Sequence, residues 1–196
     1  MSVLNVIRDI VAEVTGIRAV PDILQHPRGA NVETLKIPAY CQTQSFSCGF
    51  VAGLMVLRYF RPGACAEAFY ASVNADPETG TSAGMLTRAL RKHGVSVSVR
   101  ADLTFAAIAA AIDRGQPLAL IINTSCPDTA HWVVAYGYGR RPSRVYVAGN
   151  GLPLLARKMY CWREFRAHHW RTPGEGLVCY RGKPRKREPV RKAGNP

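Results

Sequence analysis

Apolar positions along this chain fall into two textures. In the first half they recur at helical spacing. Val3, Leu4, Ile7, Ile10, Val11, Val14 and Ile17 make one stripe. The run from Cys48 to Tyr59 is long and apolar, and Arg61-Pro62-Gly63 stops it. Residues 64–73 predict a second helix. Thr81 or Ser82 caps a third, which turns Met85, Leu86, Ala89 and Leu90 inward and ends at Gly94.

The second texture has strand spacing. Val95 to Val99 alternates strictly, whereas Leu118 to Asn123 and His131 to Tyr138 are near-continuous apolar runs. A helix over 104–114 separates the first two of these strands. A basic turn over 140–144 returns the chain so that Val145 to Ala148 pairs back, and Leu177 to Tyr180 forms a last strand. Two shorter pieces complete the reading: a strand over 35–40 ending near Pro38, and a short helix over 161–170. Helices come early and strands late. That order predicts an α+β fold, with the N-terminal helical half packed on one side of a C-terminal antiparallel sheet.

Length and charge refine this picture. The 196 residues suit one domain with short appendages: an N-terminal helix and arm over 1–34, a folded domain over 35–180 and a basic tail over 181–196. No apolar run is long enough to cross a bilayer. The opening MSVLNVIRDIVAEV has acidic residues within its apolar stripe and no small-residue cleavage site. It reads as an amphipathic helix that packs on the domain or docks a partner, so a cytoplasmic location is expected. The net charge is +13, and the tail RGKPRKREPVRKAGNP carries seven Lys or Arg against one Glu. Such a tail is expected to be disordered and solvated, and able to touch an acidic partner or anionic surface. It has no interleaved aromatics to stack bases, so nucleic acid ranks low as a partner.

Six cysteines lie at 41, 48, 65, 126, 161 and 179. No Cys-x-x-Cys pair supports a zinc site, and neither metal nor cofactor is called for. Without an export signal the thiols are expected to stay reduced. Five of them read as small core residues.

Cys48 is different because of where it stands. It follows the polar run QTQSFS and opens the long apolar helix. Unpaired N–H groups and the positive dipole end at a helix start favour thiolate. A nucleophilic sulfur also needs a base. Among the five histidines, His131 is placed best, at the head of the strand WVVAYGY. His26 and His93 lie in polar settings, and His168 and His169 read as helix-surface packing. Asn150 returns on the next strand, 19 residues on, and can orient the imidazole. Gln42, six residues before Cys48, can place an amide N–H beside the Cys48 backbone N–H to hold an oxyanion.

These segments carry a resemblance. Gln42, SCGF with Cys48, HWVVAYGYG with His131 and VYVAGNG with Asn150 resemble the papain-like cysteine peptidases. Within them the chain is similar to the double-glycine leader peptidases, which trim peptide leaders in bacteriocin processing, and their stand-alone relatives. WREFRAHHW resembles the Phe-then-Trp helix of that group. The likeness spans roughly 35–180. It implies a bacterial thiol protease of papain-like fold that cuts a peptide or protein, with small residues at the cleavage site. Cys48 would be the nucleophile, His131 the base, Asn150 its orienting partner and Gln42 the oxyanion donor. Two positions depart from the family: Ser47 stands where Asp is usual before Cys-Gly, and Asn150-Gly151 replaces Asp-Pro. Asn is the orienting residue in papain, so the triad logic carries over. The same acyl-enzyme chemistry also serves acyl transfer, deamidation and isopeptide cleavage. A non-catalytic adaptor with a basic tail is the alternative from another class.

Overall fold

The computed structural model describes residues 17–19, 31–42, 44–123, 129–149 and 157–181. The N-terminal stripe before Ile17, Asn150 and the basic tail from residue 182 lie outside them. The elements run β1 (Ile17–Ala19), β2 (Val32–Thr34), β3 (Tyr40–Gln42), α1 (Cys48–Phe60), α2 (Ala66–Val73), α3 (Ala83–Lys92) and β4 (Val95–Arg100). Then follow α4 (Phe105–Asp113), β5 (Leu118–Asn123), β6 (Ala130–Arg140), β7 (Ser143–Ala148) and β8 (Arg157–Cys161). A short helical turn α5 (Trp162–Glu164) widens into a π-helical turn over Phe165–His169, and β9 (Gly176–Arg181) closes the series.

Local chemistry explains most of these boundaries. Ser82 caps α3 by accepting the Met85 N–H at 3.2 Å, and Thr104 caps α4 by accepting the Ala107 N–H at 3.2 Å. The chain from 35 to 39 is not a strand. It links β2 to β3, and Pro38, which lacks an N–H, cannot donate to a ladder.

Seven strands form one sheet in the order β4-β9-β5-β6-β7-β8, with β2 also paired to β6 and every pair antiparallel. The long β6 organises it. Residues 130–135 pair with β5, and residues 137–139 pair with β2. Gly137 makes the second pairing feasible. A Cβ there would lie 2.7 Å from Thr34 Cγ2 and 2.8 Å from the Glu33 carbonyl oxygen. A separate two-stranded ribbon joins β1 to β3.

The α+β class is as expected, but the helices do not all lie on one side. Trp132, Val134 and Tyr136 of β6 share a buried cluster with α1, α2 and α3. Val133, Ala135 and Tyr138 share a second cluster with α4, Phe165 and Trp170. The reason is visible in β5 and β6 themselves: a strand apolar at nearly every position buries both faces, so both need cover. Helix α1 shows the same logic. Every residue from Cys48 to Leu57 is buried, as befits a helix apolar all round, wedged between the sheet and its neighbours. Strand β8, RKMYC, was not anticipated, because as an edge strand with exposed polar positions it carries little apolar pattern. No helix among the described residues is long and apolar enough to cross a membrane.

Candidate active site

Gln42, Cys48 and His131 line one open cleft of about 600 Å³. Each reaches it from a different element. Gln42 ends β3 and is held there by pairing with Ile17 of β1. The chain then tightens: the Ser47 N–H and Oγ both donate to the Gln44 carbonyl, at 3.2 and 2.9 Å. Ser47 is therefore spent on the turn and gives α1 no side-chain cap. The first N–H groups of α1 stay uncapped beside the Cys48 sulfur. The Gln42 side-chain oxygen is buried and has no hydrogen-bond partner among the described residues.

The opposite wall is the loop from Pro77 to Thr81, which packs on the start of α1. An added Cβ at Gly49 would lie 2.4 Å from Thr81 Cβ and 2.8 Å from Thr81 Oγ1. The Thr81 carbonyl in turn accepts the indole N–H of Trp132 at 2.7 Å. One buried threonine thus ties α1 to β6.

His131 stands near the head of β6, opposite Ile122 of β5. Its Nε2–H donates to the Gly149 carbonyl. In the neutral ring that bond leaves Nδ1 as the free acceptor. Asn150, the expected orienting partner, is the next residue and lies outside the described ones.

The electrostatics revise one expectation. Burial pushes the Cys48 thiol above its ordinary 9.0, although backbone groups of Trp132, Gly49 and Cys48 itself pull it down. Burial also holds His131 below 6.5, opposed by its bond to Gly149. The helix start favours the thiolate, but desolvation outweighs it. Both shifts favour the neutral thiol and the neutral imidazole. The backbone of Trp132, which directly follows His131, meets the Cys48 sulfur.

Among the described residues, His93, His169, Cys65, Cys161 and Cys179 lie outside this cleft. His93 Nε2 is 2.9 Å from Ser72 Oγ, and its ring meets Phe69 edge-on. His169 contacts Glu164 at 3.3 Å and packs on Tyr160. Cys179 is a core residue whose thiol burial pushes up to about 12. Cys65 and Cys161 are exposed, contrary to the core placement expected of them. Sequence reasoning also missed Thr81, Trp132 and the Gly149 carbonyl. Their parts come from contacts across 51 and 18 positions, which no local pattern records.

No family profile and no curated protein matches the chain. Solved structures do. A double glycine motif protease from an AMS/PCAT transporter, solved in complex with the leader peptide, superposes with a TM-score of 0.57 at 17% identity, covering 77% of this chain and 95% of that one. The peptidase domain of Streptococcus ComA, a bifunctional ABC transporter involved in a quorum-sensing pathway, gives 0.56 at 14% identity, covering 72% and 95%. A C39-like peptidase structure from Bacillus anthracis gives 0.54 at 14% identity, covering 79% and 100%. The fold is therefore the papain-like α+β fold. Within that class it is similar to the double-glycine and C39-like peptidase domains, as the sequence motifs implied.

Proposed function

We propose that this protein is a cysteine peptidase that cleaves a peptide or protein amide bond at Cys48. The observation that carries the reading is the shared cleft. A cysteine at a helix start and a histidine near a strand head line it together, and the histidine keeps one ring nitrogen free.

The chemistry follows from the neutral pair. As the thiol approaches the substrate carbonyl, His131 Nδ1 takes its proton and sulfur bonds to carbon. The carbonyl oxygen becomes an oxyanion, and the Cys48 N–H and Gln42 amide donate to it. His131 then passes the proton to the departing amine as the C–N bond breaks, leaving a thioester. Water, deprotonated by the same nitrogen, hydrolyses the thioester and restores the thiol. The Gly149 carbonyl steadies the imidazolium through Nε2–H, and Asn150 is the further orienting group in this reading. By likeness to the structure holding a leader peptide, the substrate is a peptide with small residues at the cleavage site.

The test is cleavage of a peptide library followed by mass spectrometry. Cys48→Ala is expected to abolish cleavage, and Gln42→Ala to slow it about a hundredfold. Cleavage by Cys48→Ala at the native rate would overturn the proposal. A mass gain of about one dalton without chain scission would move the chemistry to deamidation.

A further inference from the structure

The charge of the cleft runs against the charge of the protein. The chain carries +13, yet among the described residues no Lys or Arg lines the cleft, and the carboxylate that does is Glu78. Glu78 is exposed and pairs with no cation among the described residues. It sits on a built loop. Asp76 and Gly80 exchange backbone hydrogen bonds of 2.9 and 2.8 Å, and Asp76 Oδ1 accepts the Glu78 and Thr79 N–H groups at 2.8 and 2.7 Å. Asp76 is thus occupied with the turn, while Glu78 is left free.

Thr81, only 7% exposed, directly follows that turn, and its side chain packs towards Gly49 rather than into the cleft. Among the described residues the wall therefore offers an unpaired carboxylate and no cation.

Resting on the peptidase reading, we infer that Glu78 is a specificity-determining residue, and that the cleft takes a peptide with a Lys or Arg side chain close to the scissile bond. The ammonium or guanidinium meets the Glu78 carboxylate. The positive body does not prevent this. Its distant charges are screened beyond about 8 Å at physiological salt, so the carboxylate inside the cleft decides.

The experiment digests a pool of randomised decapeptides with the full chain and reads residue enrichment on both sides of each cut by mass spectrometry. Wild type is expected to enrich Lys and Arg about fivefold at one position near the cut, the upper range for an ion pair open to solvent. Glu78→Gln should erase the enrichment, and Glu78→Lys should replace it with Asp and Glu. Cuts without Lys or Arg enrichment, or an enrichment that survives Glu78→Gln, overturn this inference and leave the peptidase reading standing. No cuts beyond those of Cys48→Ala overturn both.

Discussion

Gly49→Ala is the sharpest probe of how this cleft is built. The new methyl would lie 2.4 Å from Thr81 Cβ and 2.9 Å from Thr81 Cγ2, closer than any relaxed contact. Thr81 cannot retreat freely, because its carbonyl holds the Trp132 indole at 2.7 Å in the buried interior. Overpacking of this kind costs about 1–3 kcal/mol. Alanine is the better helix former and returns up to about 1 kcal/mol, less at the first turn than in a helix interior. If Thr81 shifts enough to lose the indole bond, the orphaned donor adds about 1–3 kcal/mol. A net loss of about 2 kcal/mol lowers the melting temperature by about 4–8 °C for a domain of this size. Calorimetry or circular dichroism measures that directly. The double variant Gly49→Ala/Thr81→Gly removes both the crowding and its cause, so its loss should be smaller than the sum of the two single losses. A Gly49→Ala protein that melts with wild type would refute the reasoning, and strict additivity would show that the two sites do not touch.

The pair of shifted groups makes three further predictions. His131 resists protonation, so the acid limb of activity should lie below pH 6.5, and kcat/KM plotted against pH checks it. The same shift means the unfolded chain binds the extra proton first. Stability should therefore fall as pH drops below 6.5, and a variant lacking the His131 imidazole should lose that part of the dependence. For small uncharged alkylating agents at neutral pH, exposed Cys65 and Cys161 should react before Cys48, because burial raises the Cys48 thiol. Intact-mass and peptide mapping after a time course give the order, and Cys48 reacting first would contradict the neutral resting state.

Much of the site was legible because its signals are local. Cys48 stands where a polar run meets an apolar helix, and His131 where a loop meets an apolar strand. Both placements follow from periodicity and from the chemistry a nucleophile and base require. Pro77 to Thr81 with Thr129 and Ala130 complete the cleft wall. The cysteine's protonation was not legible. A helix start argues for thiolate, but desolvation depends on what packs above the sulfur, and that is set by distant residues.

The sequence by itself determined the α+β class, the order of helices and strands, and which cysteine and histidine are candidates for reactive chemistry, since those rest on spacing and side-chain type. Tertiary structure alone decided that helices cover both faces of the sheet. It also chose the Gly149 carbonyl as a partner for the imidazole, locked Thr81 between Gly49 and Trp132, and set the Glu78 carboxylate in the cleft wall of a basic protein. Those are contacts between segments far apart in the chain. Their energies come from packing and desolvation, which exist only once the segments have met.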